Sequence, residues 1–211
     1  MSDAVAALVR DVDRDRWLAT LYAPAAIRPA LLAVHALDLE LAKIAVTASD
    51  AMLGEIKLAW WRERLVDLDA GIVPAQPVLQ ALAADVLPRG VTGATLSEFE
   101  DCWLALAAGD VARHVALRGA AVGGALAVLA GGDAATGARL GTVWAAGEAA
   151  RAGHTVAMSE RLRVAPPLRW LGGLAALGLR DVLRAGQELP PEPRATAGRQ
   201  WVLLRIALTG R

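Results

Sequence analysis

Three carboxylates are the main candidates for chemistry in this sequence, namely Asp38, Glu40 and Glu148. Carboxylate oxygens are the ligands that Mg²⁺ prefers, and paired carboxylates also perform acid–base catalysis. Asp38 and Glu40 lie two residues apart, and side chains at that spacing do not face each other on a helix. Glu148 is the only carboxylate between residues 140 and 156. A shared site therefore requires the fold to bring all three together.

Four further residues are candidates for ligand binding, namely Trp60, Trp61, Arg62 and Arg151. The adjacent tryptophans would line an apolar cavity, or they would divide between the core and a partly exposed groove. Arg62 would bind a diphosphate or an anionic lipid, since arginine matches phosphate geometry, or it would form ion pairs on the helix surface. Arg151 would belong to the same anion site, or it would lie at the surface near a helix C-terminus.

Other polar residues have more ordinary interpretations. Glu40 lies on an apolar helix face, where burial would require a partner such as an arginine, so we favour a structural ion pair over a catalytic role. His114 is expected to pair with Asp110 on a helix surface. The only D-x-x-x-D pattern, formed by Asp11 and Asp15, precedes the first predicted helix and is expected to be solvated.

Composition excludes several classes of protein. The 22 basic and 22 acidic residues cancel, whereas nucleic-acid binders carry a basic excess. The single cysteine, Cys102, excludes an internal disulfide and a cysteine-based zinc site and is expected in the core. Mean hydropathy is high at +0.40, but the uncharged stretch 119–132 is too short to span a bilayer. With no secretory signal at the start, we expect a cytoplasmic protein, with peripheral membrane contact as an option.

These candidate residues require helices to position them. Ala, Leu, Arg and Glu dominate and period-2 alternation is missing, which predicts an all-α fold. Spacing and capping signals predict about six to eight helices around one core. The predicted helices cover roughly 27–46, 51–69, 78–86, 97–117 (after a capping box of Ser97 and Glu100), 133–151, 166–186 and 199–208. The predicted organisation is a domain over 1–186, a Pro-rich linker over 187–198 and a C-terminal helix over 199–211.

Two segments are distinctive enough to indicate a family. They are ALDLELA at 36–42 and MLGEIKLAWWR at 52–62, preceded by DRW at 15–17 and YAP at 22–24. Together they resemble the N-terminal half of the squalene/phytoene synthase family. The resemblance is good over residues 13–70 and thinner over 97–185.

This resemblance implies an isoprenoid (trans-prenyltransferase) synthase fold, a single-domain helical bundle around a central apolar cavity. In catalytic members, two Asp-rich motifs face each other across that cavity and hold Mg²⁺, which binds the substrate diphosphate. The ion neutralises the leaving group while an allylic cation forms in an apolar pocket.

The sequence departs from the catalytic pattern at both motifs. The aspartates of the first motif fall near Ala42 and Lys43, where a lysine would repel Mg²⁺. Those of the second fall on Ala152 and Val156, while Arg151 matches the arginine of that motif. With these losses and with Glu40 inside ALDLELA, the pattern resembles one branch of the family more closely. That branch is the phytoene-synthase-like assembly factors of respiratory complex I, which share the fold and are thought not to perform the condensation.

Three functions follow as hypotheses. The first is a non-catalytic member of the family that binds a prenyl or lipid ligand or a membrane-protein client, with no cofactor and no nucleic acid. The second is a Mg²⁺-dependent prenyltransferase acting on farnesyl or geranylgeranyl diphosphate, which would need Asp38, Glu40 and Glu148 to converge. The third is a helical interaction domain whose cavity has closed.

Overall fold

The computed structural model describes residues 3–48 and 50–211, and helices are its only regular secondary structure within those ranges. The all-α prediction is confirmed. In chain order the α-helices are α1 (Asp3–Val12), α2 (Arg14–Thr20), α3 (Arg28–Thr47), α4 (Ala51–Asp69), α5 (Pro77–Ala81), α6 (Gly93–Ser97), α7 (Phe99–Ala107), α8 (Val111–Arg118), α9 (Gly124–Leu129), α10 (Ala134–Arg151), α11 (Arg169–Gly186) and α12 (Ala197–Thr209). Two π-helical turns, Leu82–Val86 and Gly119–Gly123, continue α5 and join α8 to α9.

Helix α3 lies in the centre of the molecule. Every residue from Ala30 to Asp38 is buried, and so is Leu41. The helix contacts α1 on one side and α7 on another. Its predicted limits, about 27–46, agree with the structure to within a residue or two. A charged group at Asp38 is therefore held in the middle of the core, where it requires partners.

Small residues allow α10 to pack unusually close to its neighbours. A Cβ built at Gly147 would lie 2.2 Å from the Cα atom of Gly178 on α11. One built at Gly123 would lie 2.4 Å from the carbonyl oxygen of Gly137. Because any larger residue would overlap backbone atoms there, glycine is required at these crossings.

Two helices upstream of Pro24 are absent from the sequence prediction. Helix α1 buries Val5 and Val9, one turn apart, against α3. Helix α2 begins at a cap formed by Asp13, whose side chain accepts hydrogen bonds from the backbone N–H groups of Asp15 (3.1 Å) and Arg16 (3.2 Å). The acidic residues that made this segment look solvated are thus a cap and buried ion-pair partners.

The helix predicted from Ser97 to about residue 117 is divided in the structure. Ser97 does not cap it, because its hydroxyl donates to the carbonyl of Ala94, and the capping box is wrong. Gly109 takes a left-handed φ of 79°, and Asp110 starts a new helix by accepting from the N–H of Arg113. This break turns α8 toward α10 and places Arg118 near the centre.

The segment between α11 and α12, predicted as a linker over 187–198, packs against the helical domain. Arg194 and Glu192 in it form ion pairs with other parts of the chain, and the backbone N–H of Ala195 donates to Asp15. Helix α12 begins at Ala197, capped by Thr196, and packs on α11. The predicted domain starts at residue 1, and its first two residues lie outside the described ones.

One helical stretch, Val111–Leu129, is long and apolar enough to cross a membrane by length and composition. It is also 56% buried inside the protein, which is the property of a core helix.

Candidate functional site

The centre of the molecule holds Asp38 between two arginines. Asp38 is fully buried on α3. Arg16 of α2 donates from Nη1 to Oδ2 at 2.8 Å. Arg118 of α8 donates from Nε to Oδ1 at 3.1 Å and from Nη2 to Oδ2 at 2.6 Å. Both carboxylate oxygens therefore already accept charge-assisted hydrogen bonds.

The electrostatics of Asp38 follow from these contacts. Burial alone would raise its pKa, but the guanidinium groups of Arg118 and Arg16 outweigh that effect and hold the pKa well below its usual range. The arginines also stack on the indole of Trp144, with Cζ 4.7 Å (Arg16) and 4.6 Å (Arg118) from the ring centroid. Cation–π contact of this kind stabilises guanidinium groups that have left water.

A second carboxylate, Glu148 on α10, lies next to this arrangement. Arg194 donates to both of its oxygens, at 3.2 and 2.7 Å, and Nη2 of Arg16 is 3.8 Å away. Burial would raise the pKa of Glu148, but these arginines lower it to about 2. Arg194 also lies 3.0 Å from Asp13, which itself accepts from Arg16. We call this set of six side chains the central ion-pair cluster: Asp13, Arg16, Asp38, Arg118, Glu148 and Arg194.

A second buried network lies toward the end of the chain. Arg199 of α12 donates to Asp15 at 2.8 Å and to both oxygens of Asp181 at 2.7 and 3.0 Å. Arg151 also reaches Asp181, at 3.3 Å. We call these residues the C-terminal ion-pair cluster: Asp15, Arg151, Asp181 and Arg199. It fastens α12 to α2, α10 and α11.

A cavity of about 190 Å³ borders the central ion-pair cluster. Its polar wall includes Arg16, Arg118, Glu148 and Arg194, and its apolar wall includes Leu39. Sites for drug-sized ligands usually enclose about 300–1,000 Å³, so this space is smaller than a prenyl diphosphate requires. The resemblance predicts a central apolar cavity. The space found there is small. Most of its lining residues are apolar, and one wall carries charged groups of the central ion-pair cluster.

The carboxylates at this site do not fit Mg²⁺. Arginine nitrogens occupy both oxygens of Asp38 and of Glu148. Glu40 is only half-buried and has no ion pair or side-chain hydrogen bond within the described part of the chain, so the structural ion pair expected there is wrong, and Asp38 forms it instead. Over residues 3–48 and 50–211, no three His, Cys, Asp or Glu side chains are grouped as a metal site.

The predicted ligand-binding residues of α4 lie away from the central cluster. Trp60 is 43% exposed and Trp61 is 6% exposed, with their rings edge to face at 5.6 Å. Arg62 points to Glu100 on α7, with Nη1 3.3 Å from Oε2. The adjacent tryptophans thus divide between the core and the surface, and neither lines the cavity beside Asp38.

Arg151 is neither a free surface residue nor part of the central cluster. Its Nη1 donates to the carbonyl of Glu192 at 2.8 Å as well as to Asp181. It borders a separate cavity of about 440 Å³ that also contacts His154. One partner lies on α11 and the other in the segment before α12, at 30 and 41 residues from Arg151, which sequence spacing does not reveal.

Two further expectations are wrong. Of Asp11 and Asp15, both expected to be solvated, only Asp11 is exposed, and Asp15 is buried against Arg199. His114 does not pair with Asp110 on a surface. It is buried, and its Nδ1 lies 2.6 Å from the carbonyl oxygen of Cys102. Burial, together with the positive charge of Arg118, lowers the pKa of His114 to about 4. Cys102 lies in the core as predicted.

The arginines that neutralise the site are not identifiable from sequence spacing. Arg16 occurs in the DRW segment that carries part of the resemblance, but its side-chain role is not apparent there. Arg118 and Arg194 had no signal of their own. Their partners lie 80 and 46 residues away in sequence. An excess of arginine over lysine, which suits buried ion pairs, was the one available indication.

Comparison with known proteins gives one match. The family model for squalene/phytoene synthase matches residues 9–90. This range contains α2, α3 and α4 and both distinctive segments, and the match supports the predicted family over those residues. The thinner resemblance over 97–185, with Glu148 and Arg151, lies outside the match. No curated protein and no solved structure matches the chain significantly.

Proposed function

We propose that the protein is a non-catalytic member of the squalene/phytoene synthase family and acts by binding a protein client. The model of that family matches residues 9–90. The observation that carries this proposal is the engagement of Asp38 by Arg16 and Arg118. A carboxylate that must ligate Mg²⁺ needs free oxygen lone pairs. Here, two guanidinium groups take them.

Releasing Asp38 for a metal would be costly. Rupture of the pairs would leave Arg118 buried in the core without a carboxylate partner, while Arg16 would keep Asp13. Breaking a buried ion pair by loss of one member typically costs about 3–5 kcal/mol. The pairing also places positive charge where a Mg²⁺ ion would have to approach. Both effects oppose the condensation chemistry and favour a structural role for this carboxylate.

The proposal takes a protein client in preference to a prenyl ligand. The central cavity of about 190 Å³ is small for a prenyl chain. By contrast, α4 exposes an apolar stripe formed by Met52, Ile56 and Trp60, which lie four residues apart and so share one face. Exposed apolar patches mark interaction sites. A client helix with its own apolar face would bury this stripe.

The client class that the resemblance implies is a subunit of a respiratory membrane complex during assembly. An apolar helix that awaits its final partners in such a subunit matches the exposed stripe of α4. Trp60 would be the anchoring residue, since aromatic residues dominate the energy of interfaces. Trp61 and Arg62 would support it, because Trp61 packs beside Trp60 and Arg62 pairs with α7.

The experiment that tests the absence of catalysis is a turnover assay with the purified protein. Farnesyl and geranylgeranyl diphosphate are supplied with and without Mg²⁺, and pyrophosphate release is followed. We expect none above the rate without protein. Mg²⁺-dependent release that is lost in Asp38→Asn would instead establish the prenyltransferase alternative.

The experiment that tests client binding places a photo-crosslinking amino acid at position 56 in cells. The matched control carries it at position 128, an exposed valine on α9. We expect a protein adduct from position 56 and none from position 128. A position 56 adduct that contains only lipid, or equal adducts from both positions, would contradict a client at this face.

A further inference from the structure

A groove of about 590 Å³ runs between α11 and α12 on the outer surface of the protein. Its floor is apolar and includes Leu179, Val202 and Ile206. Five arginines also line it, and no Asp or Glu does: Arg161, Arg180, Arg184, Arg205 and Arg211. Neither hypothesis for α4 or Asp38 uses this groove.

The arginines of the groove differ in whether they form ion pairs or hydrogen bonds within the protein. Arg180 pairs with Glu192 at 2.7 Å, and Arg184 donates to the carbonyl of Pro190. The guanidinium groups of Arg161 and Arg205 have no ion pair or hydrogen bond among the described residues. Glu160, the nearest acid in sequence to Arg161, is already paired with Arg139 at 2.6 Å. The groove therefore presents uncompensated positive charge.

Exposed apolar side chains surround this charge. Trp201 is 64% exposed and Leu208 is 68% exposed, and their spacing from Arg205 puts all three on the outer face of α12. Leu183, also exposed, lines the groove on the α11 side. Helices that bind the surface of anionic membranes typically combine arginine or lysine with exposed tryptophan and leucine. Helix α12 has this combination.

We propose that the α11–α12 groove docks the protein on a membrane surface that contains anionic phospholipids. The guanidinium groups of Arg161 and Arg205 bind lipid phosphates, which arginine matches in geometry. Trp201 and Leu208 enter the boundary between headgroups and acyl chains. An acidic peptide would satisfy the arginines but would leave these apolar side chains in water, so a lipid surface fits the whole face better. The proposal holds whether or not the protein catalyses a reaction.

The test is vesicle cosedimentation of the full chain. Vesicles of phosphatidylcholine alone are compared with vesicles that also contain phosphatidylglycerol, at low and high salt. We expect binding to the anionic vesicles only, weakened by salt because surface electrostatics are screened. The double variant Arg161→Ala/Arg205→Ala should bind about 30-fold more weakly, and Trp201→Ala should also bind more weakly.

Matched controls keep the test specific. Arg113→Ala removes an exposed arginine of α8 and Trp60→Ala removes the exposed tryptophan of α4, and neither should change vesicle binding. Unfolding temperatures confirm that the variants fold. Equal binding to both vesicle types, no effect of the arginine pair, or an equal loss in Trp60→Ala would overturn the proposal. So would capture of soluble polyglutamate, but not vesicles, through the same arginines.

Discussion

The central and C-terminal ion-pair clusters are built from the same materials but occupy different places. Both bury carboxylates against arginines that come from distant helices. The C-terminal cluster fastens α12 to the rest of the molecule, which is plainly a structural task. The central cluster does the same for α2, α3 and α8, yet it lies where the family resemblance implies the reaction centre. Because the two clusters pair carboxylates with arginines in the same way, we infer that Asp38 also has a structural task.

The clusters differ in redundancy. Asp15 is within 4.0 Å of both Arg199 and Arg194, and Asp181 of both Arg199 and Arg151. Arg118, by contrast, has Asp38 as its only carboxylate partner in the described ranges. Removing one member should therefore cost more at the centre than at the C-terminal cluster.

The largest expected effect is that of Asp38→Ala. This variant leaves Arg118 buried without a carboxylate, so we expect a loss of about 3–5 kcal/mol in the free energy of unfolding. Chemical denaturation measures it. The double variant Asp38→Leu/Arg118→Met should be less destabilised than Asp38→Ala, since no unpaired arginine remains. If the double variant loses as much unfolding free energy as Asp38→Leu and Arg118→Met lose in sum, Asp38 and Arg118 do not stabilise the fold as a pair.

The next effect concerns His35, which lies next to the central cluster between Trp144 and Trp170. Burial, together with the positive charge of Arg16, lowers the pKa of His35 to about 3. In the unfolded chain the pKa of a histidine is near 6.5. The stability that neutral, buried His35 contributes is therefore complete above that pH and is lost as the pH falls toward the pKa of His35 in the folded protein. Over two pH units this amounts to about 3 kcal/mol.

The variant His35→Phe checks this prediction because it keeps an aromatic ring among the tryptophans but cannot be protonated. Unfolding free energies are measured between pH 6.5 and 4.5, above the range in which Asp38 and Glu148 lose their charge. His114, whose pKa is also lowered, titrates in the same interval, so the slope in His35→Phe should fall to about half. An unchanged slope would show that His35 is charged or solvated in the folded protein.

A smaller effect is expected for Arg199→Met in the C-terminal cluster. Asp15 and Asp181 each keep a second arginine, and methionine retains part of the packing, so we expect a loss of about 2 kcal/mol. Thermal or chemical unfolding gives the value. A loss equal to or above that of Asp38→Ala would break the contrast in redundancy between the two clusters.

The smallest effect is that of Glu40→Gln. Glu40 is half-buried and has no partner in the described residues, so the unfolding free energy should change by less than about 0.5 kcal/mol. Its position two residues from Asp38 makes it the matched control for that site. A large loss would mean that Glu40 shares the central cluster.

The parts of the fold that sequence predicted are those with local signals. Helices α3 and α4 carry apolar periodicity. Helix α10 begins within one residue of its predicted start at 133, where Asp133 accepts from the N–H of Thr136. Helices α1 and α2 were missed because their acidic residues suggested solvent. The arginines of the central cluster were missed because ion pairs across 22 or 80 residues leave no periodic pattern. The sequence identified Asp38 as a candidate carboxylate, but it did not predict that Arg16 and Arg118 pair with it.

The central claim is that Asp38 is committed to arginine and does not bind Mg²⁺ with a diphosphate. The most direct measurement is the unfolding temperature with farnesyl diphosphate and Mg²⁺, added separately and together, because any ligand of the folded state raises it. The account predicts no increase that requires both. An increase that requires both, and that disappears in Asp38→Asn, would contradict it.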